Sequence, residues 1–232
     1  VISGTNTAGD VSLAFTNSLS AVVSNLCIAT SSGAAASPVS ILSNAVVKLA
    51  LAGTNGFASA GEGCAGLNVP YGSSLSITNL VEDAMPYLAV RGANYAAGIG
   101  GGRIESHGTI EILGGGIVAT GGAHGAGIGS GYFSESGSDE GDAATLRQGM
   151  IRILGGDVSA TGGERAAGIG GGWTHSGGEI EIAGGKVTAT SAMSGAGIGG
   201  GMAAHGYTIS ISGGEVSATG GSNGGAGIGG GI

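Results

Sequence analysis

The sequence predicts an all-β protein, a right-handed parallel β-helix (β-solenoid) with three short strands per coil and roughly seven coils. Three observations predict this fold: a recurring tetrapeptide AGIG, alternating apolar residues after each copy, and glycine pairs between those stretches. AGIG begins at Ala97, Ala126, Ala167, Ala196 and Ala226, so successive copies lie 29, 41, 29 and 30 residues apart. A period of about 29–30 residues indicates stacked coils, because one coil alone cannot bury its apolar face.

Residues 1–96 are predicted to form degenerate N-terminal coils of the same solenoid. Alanine, leucine and valine replace most of the glycines there, and the apolar segments keep the expected order, at 39–41, 47–51, 65–67, 75–77 and 87–90. The 32 residues from Ala65 to Ala97 are close to one period. Atypical terminal coils are common in repeat proteins, so we assign this region to the solenoid.

Residues 97–232 are predicted to form the regular glycine-rich coils. After AGIGGG, each coil has a second apolar segment, at 110–112, 151–153, 180–182 and 209–211. A third segment follows a glycine pair, at 117–119, 158–160, 187–189 and 216–218. Period-two alternation in both indicates strands with one buried face. The 41-residue interval contains about 12 extra residues, which we expect to form a surface insertion at about 133–148.

Two columns of outward-facing residues are predicted to alternate in charge along the stack. They read Glu111, Arg152, Glu181, Ser210 and Gly116, Asp157, Lys186, Glu215. Opposite charges on neighbouring strands attract by about 0.2–1 kcal/mol, so we interpret the columns as ladders that set the register between coils. The alternative is a carboxylate pair for acid–base catalysis. Because cations interrupt both columns, we predict no catalytic residues and a protein that is not an enzyme.

The AGIG segments suggest a candidate assembly face. If alanine and isoleucine face inward, alternation directs the glycines outward. Stacked coils would then present two bare columns to a partner solenoid, another surface protein or a glycan: Gly98, Gly127, Gly168, Gly197 and Gly227, and Gly100, Gly129, Gly170, Gly199 and Gly229. The alternative is that tight packing at a corner requires glycine.

A variable column follows the glycines and is a candidate ligand-binding site. Its residues are Arg103, Tyr132, Trp173 and Met202. Aromatic and guanidinium planes can stack on other planar groups, which makes contact with sugar rings one interpretation. The alternative is that these side chains only cover a corner of the solenoid.

We predict no metal site and no cofactor. The loops near the variable column contain His107, His175 and His205, the last two in consecutive coils, where they could approach each other. No cysteine or carboxylate at matched spacing accompanies them. The acidic residues of the insertion lack the spacing of a calcium loop and are expected to be solvated; they are Glu135, Asp139, Glu140 and Asp142.

The third strands present pairs of hydroxyl side chains to solvent: Ser159 with Thr161, Thr188 with Thr190, and Ser217 with Thr219. Regular hydroxyl arrays can order water, so ice binding is an alternative function. Val118 replaces the first hydroxyl in the preceding coil. Threonine is also a common residue on exposed strands.

Composition excludes several classes of partner. Seven Lys and Arg against 15 Asp and Glu give a net charge of −8, which argues against nucleic acid, since nucleic acid requires clustered cations. No run of 18 apolar residues occurs, so we predict no transmembrane segment. The sequence begins at Val1 without a signal-like segment, which indicates a removed secretion signal or a fragment. Cys27 and Cys64 are compatible with a disulfide or with two free thiols.

The ordered motifs resemble a known group of proteins. The segments are TSSGAAASPVSILSNAVVKLALAGTN at 30–55, GCAGLNVPYGSSLSI at 63–77, and the repeated GAGIGGG and GG-x-V-x-ATGG units. Together they are similar to glycine-rich repeat surface proteins secreted by bacteria, often described as adhesin-like or carbohydrate-binding. The resemblance covers nearly the whole chain and implies a parallel β-helix displayed outside the cell. It implies no catalytic residues.

We therefore expect a non-enzymatic extracellular structural protein that assembles into fibres or a surface layer and takes part in adhesion. Residues 226–232 begin a further coil without a polar cap, which predicts end-to-end self-association, or indicates a fragment of a longer protein. The alternative is a carbohydrate-binding adhesin module that uses the glycine face and the aromatic corner. A phage or viral fibre segment and an ice-binding protein are further alternatives.

Overall fold

A computed structural model describes residues 1–6, 10–81, 85–133, 148–205 and 208–232. These residues form an all-β parallel solenoid of about seven coils, as the sequence predicts, and they contain no helix. The insertion predicted at about 133–148, with its four acidic residues, lies almost entirely outside the described residues. The division at residue 96 stays a prediction.

Each coil has three strand positions. The first is occupied by β2 (Leu13–Phe15), β4 (Val39–Ile41), β7 (Leu67–Asn68), β10 (Ile99–Gly100), β13 (Ile128–Gly129), β16 (Ile169–Gly170), β19 (Ile198–Gly199) and β22 (Ile228–Gly229). The second is occupied by β5 (Val46–Ala52), β8 (Ser74–Asn79), β11 (Thr109–Ile112), β14 (Met150–Ile153), β17 (Glu179–Ile182) and β20 (Thr208–Ile211). The third is occupied by β6 (Thr54–Ala58), β9 (Tyr87–Arg91), β12 (Gly116–Thr120), β15 (Asp157–Gly162), β18 (Lys186–Ser191) and β21 (Glu215–Thr219).

Two parallel sheets run the length of the stack. The first-position strands form an eight-stranded sheet in the order β2-β4-β7-β10-β13-β16-β19-β22. The second and third positions belong to one 14-stranded sheet, because β3 (Leu19–Ala29) supplies both positions of the first coil. Residues 19–24 of β3 pair with β5, and residues 27–29 pair with β6. On its other side β3 pairs with β1 (Ile2–Asn6).

Stacked aliphatic side chains form the core. In the first position Ile99, Ile128, Ile169 and Ile198 lie in register and are fully buried. The second and third positions add similar columns of isoleucine and valine, also buried. Burial of one such side chain stabilises the fold by about 1.5–3 kcal/mol. Because each column is continuous, every coil completes the core of its neighbours.

The glycine pairs form the corner between the second and third strands. The second glycine of each pair has a positive φ, which side chains disfavour: 91° at Gly115, 88° at Gly156, 79° at Gly185 and 85° at Gly214. In the first coil Asn25 takes this conformation with a φ of 52°. Its Oδ1 accepts a hydrogen bond from the Thr54 N–H at 3.1 Å. The first coil thus makes this corner with asparagine, and the second coil makes it with Gly53, whose φ is 62°.

The first charge column is a ladder between coils. Glu111, Arg152 and Glu181 occupy matching positions on β11, β14 and β17. Arg152 Nη1 lies 2.9 Å from Glu111 Oε1, and its Nε lies 2.8 Å from Glu181 Oε2. The bond to Glu181 is the main cause that raises the pKa of Arg152. The second column also lies in register, with Asp157 beside Lys186 and Lys186 beside Glu215.

Cys27 and Cys64 are both free and half-buried. Burial, with a smaller contribution from Glu105, raises the pKa of the Cys64 thiol. Within the described ranges, no helix is long and apolar enough to cross a membrane.

Candidate functional site

The first strand of each coil is a tight bend. In the regular coils the alanine N–H of AGIG donates to the carbonyl oxygen four residues later, as in Ala97 to Gly101 at 3.0 Å and Ala167 to Gly171 at 2.9 Å. Only the isoleucine and the glycine after it are therefore strand residues. The bend brings the residue two positions before the alanine close to the residue six positions after it.

The predicted column Arg103, Tyr132, Trp173 and Met202 lies at this corner and interleaves with a second column. The N–H of Tyr132 donates to the carbonyl oxygen of Tyr95 at 2.9 Å, and that of Trp173 donates to His124 at 3.0 Å. Met202 donates in the same way to Arg165 at 2.8 Å. This second column was not predicted from the sequence. Its members can be recognised in the sequence because each lies two residues before the alanine of an AGIG tetrapeptide.

The two columns form a continuous group of four rings with a guanidinium group at each end. We call this group the aromatic ladder; its rings are Tyr95, Tyr132, His124 and Trp173, and its guanidinium groups belong to Arg103 and Arg165. The Tyr132 and Trp173 rings stack with centroids 4.8 Å apart. Tyr95 lies 5.5 Å from Tyr132, and His124 lies 5.1 Å from Trp173. A guanidinium covers each end, with Arg103 Cζ 5.2 Å from the centre of Tyr95 and Arg165 Cζ 4.3 Å from that of Trp173.

The exposure of the ladder is uneven. Tyr132 is only 6% exposed, so its ring packs against neighbouring rings and offers no free face. Trp173 and Met202 are half-buried. Arg103 also lies 3.7 Å from Glu62. Burial is the largest cause that lowers the pKa of His124, followed by the nearby Arg165. His124 therefore favours the neutral form beside Trp173.

The expectation of a bare glycine face is wrong. Gly98, Gly127, Gly168 and Gly197 are buried, and a Cβ on any of them would press on the backbone at the end of a third strand. Gly100, Gly129, Gly170 and Gly199 are also buried, with φ between 127° and 138°, and a Cβ there would overlap the carbonyl oxygen of the next coil. Gly227 and Gly229 are half-buried. These glycines allow the backbones of neighbouring coils to approach closely. The inward–outward alternation of an extended strand did not predict this, because the AGIG segment is bent.

Two histidines are fully buried beside the same loops. The Nδ1 of His107 donates to the carbonyl oxygen of Gly108 at 2.8 Å. The Nδ1 of His175 lies 3.1 Å from Gln148 Nε2, and Phe133 packs edge-on against its ring. Burial lowers the pKa of His107 to about 4. Burial, with a smaller contribution from the nearby His107, lowers the pKa of His175 to about 3. His205, which lies in the coil after His175, is exposed.

Within the described ranges, no three histidine, cysteine or acidic side chains form a group suited to a metal ion. The carboxylates of the first charge column, Glu111 and Glu181, both contact Arg152. Their arrangement holds neighbouring coils together by ion pairs.

Comparison with known proteins supports the repeat architecture. A family described as a beta helix repeat matches residues 151–173, 180–202 and 209–232, which are three successive coils. The matched segments begin 29 residues apart, the same spacing as the coils. No curated protein and no solved structure matches the chain. The chain is therefore similar to beta helix repeats over its last three coils.

Proposed function

We propose that this chain is a non-catalytic extracellular structural protein, a rigid solenoid rod that assembles into fibres or a surface layer and takes part in adhesion. The observation that supports this proposal most is the continuity of both parallel sheets through all seven coils. Seven strand spacings give a rod about 34 Å long. The core columns and the Glu111–Arg152–Glu181 ladder both connect coils along this axis.

The outer face of the third strands is the surface best suited to contact between rods. Ser159, Thr188 and Ser217 lie in register, and Thr161, Thr190 and Thr219 form a parallel column. All six side chains are exposed or half-exposed, and they make no hydrogen bonds with other described residues. We call this surface the hydroxyl face. Because it repeats every ~4.8 Å, one weak contact between two rods is multiplied over several coils.

Sedimentation velocity over a range of concentrations tests assembly through the hydroxyl face. We expect Thr188→Lys to shift the protein toward single rods, because it adds a charge at the centre of this face. Thr208→Lys makes the same change on an exposed second-strand position and serves as the matched control. Equal association of both variants and the wild type would rule out the hydroxyl face as the contact.

Carbohydrate binding at the aromatic ladder is the second candidate function. The half-buried Trp173 ring has Arg165 on one side and Tyr132 on another, so its orientation is fixed. A preorganised aromatic ring loses little entropy when its exposed edge contacts a sugar. The partly exposed edge of Trp173 would be the contact point.

Affinity electrophoresis against neutral and acidic polysaccharides tests this candidate. We expect Trp173→Ala to weaken retention about three- to ten-fold and Met202→Ala, the next residue of the column, to leave it unchanged. Retention that survives Trp173→Ala would exclude the ladder as the binding site.

A further inference from the structure

The outer face of the third strands changes character along the rod. In the last three coils its central column contains the hydroxyl residues described above. In the first four coils the same column contains Cys27, Gly56, Ala89 and Val118, paired in register. The neighbouring column contains Ala29, Ala58, Arg91 and Thr120. In the central column, small apolar residues therefore replace hydroxyl residues over about 14 Å of the rod.

Two adjoining cavities open on this face. The first has a volume of ≈ 310 Å³ and an almost wholly apolar floor that includes Cys27, Gly56, Ala89 and Val118. The second has a volume of ≈ 810 Å³ and lies where the chain turns from the third strands into the next coils. Ala29, Ala58 and Arg91 line both, so the cavities form one groove with an apolar and a polar half.

The polar half contains one exposed cation. Arg91 is exposed and makes no ion pair with any described residue. It is also the one charged side chain among the described residues that line the cavities. Thr30 and Ser59 are 7% and 6% exposed, so Arg91 and Asn94 are the polar side chains that this half of the groove exposes to a ligand.

We propose that this groove binds an amphiphilic carboxylate, with an alkyl chain on the apolar floor and its head group at Arg91. Guanidinium groups form strong, charge-assisted hydrogen bonds with carboxylates. An apolar cavity of several hundred cubic ångströms with a few polar groups at one end is the usual form of a small-molecule site. The site does not depend on rod assembly or on the aromatic ladder.

Isothermal titration with dodecanoate tests the site, and dodecanol serves as the uncharged analogue. We expect saturable one-to-one binding of dodecanoate and at least about ten-fold weaker binding of dodecanol. Arg91→Thr, which introduces the residue of the next coil, should weaken dodecanoate binding about ten-fold. Circular dichroism during the titration confirms that the protein stays folded.

Gly56→Val tests the apolar floor. A Cβ at Gly56 would lie 3.7 Å from Cys27 Sγ and 3.9 Å from the Ala89 carbonyl oxygen, so the strand accepts a side chain that fills the groove. Ser159→Val makes a comparable change in the same column beyond the groove and is the matched control. We expect about ten-fold weaker binding for Gly56→Val and no change for Ser159→Val.

The thiol of Cys27 gives an independent measurement. In a Cys64→Ser background, dodecanoate should slow alkylation of Cys27 by iodoacetamide, because the chain covers the apolar floor. The proposal is overturned if dodecanoate does not saturate, if dodecanol binds as tightly, or if Arg91→Thr and Gly56→Val both bind like the wild type. Undiminished alkylation of Cys27 at saturating dodecanoate would also overturn it.

Discussion

A single methyl group added to the first strand should destabilise the whole solenoid. Gly170 is the last glycine of an AGIG segment and has a φ of 127°. A Cβ there would overlap the carbonyl oxygen of Gly199 in the next coil. The backbone conformation costs a side chain about 1–3 kcal/mol, and forcing the coils apart adds about 1–3 kcal/mol. We expect Gly170→Ala to lower the free energy of unfolding by about 4 kcal/mol and the thermal midpoint by roughly 10 °C.

Gly56→Ala is the control for this prediction. Gly56 lacks a positive φ, and an added Cβ would make only ordinary contacts. Its effect should stay within about 1 kcal/mol and can be stabilising, because alanine restricts the unfolded chain. Thermal and urea unfolding followed by circular dichroism measure both variants. Equal midpoints for Gly170→Ala and Gly56→Ala would refute the argument that close backbone contact requires the glycine columns.

Three further predictions concern titration and charge. The folded pKa values of His107 and His175, about 4 and about 3, lie below the usual 6.5, so stability should fall as pH decreases below 6.5. The loss is about 2 kcal/mol per histidine at pH 5, and a double Gln variant should lack it in urea unfolding. Arg152→Glu should destabilise the solenoid by aligning three carboxylates, and added salt should partly restore the thermal midpoint; no salt effect would contradict this. Fluorescence of Trp173 should be quenched as His124 gains a proton, with a midpoint below pH 6.5, and His124→Gln should remove that step.

Strand positions could be predicted from the sequence because their signals are local and repeated. Alternating isoleucine and valine identify the buried faces, and glycine pairs identify the corners. The charge ladder around Arg152 followed from the same period, since equivalent positions stack in register. The first coil was harder to predict because Asn25 replaces the corner glycine. In this coil β3 is one strand, Leu19–Ala29, that includes the corner residue.

The candidate sites depend on bends and on contacts between coils. These cannot be predicted from the inward–outward alternation of side chains along an extended strand. The glycines of AGIG were expected to face outward because the segment was treated as extended. The hydrogen bond from Ala97 to Gly101 closes it into a bend, and the glycines become buried. The same bend places Arg103 beside Tyr95. Stacking of the next coil then brings Tyr132 to Tyr95, although 37 residues separate the two tyrosines in sequence. The apolar groove at Gly56 requires the register of irregular coils, which no motif specifies.

Electron microscopy of the negatively stained protein, over a wide range of concentrations, tests the proposed structural role most directly. We predict rods about 34 Å long that associate into fibres or layers as the concentration rises, and that Thr188→Lys disperses. Single rods at every concentration, with no difference between the wild type and Thr188→Lys, would contradict the proposal that this solenoid is an assembling structural protein.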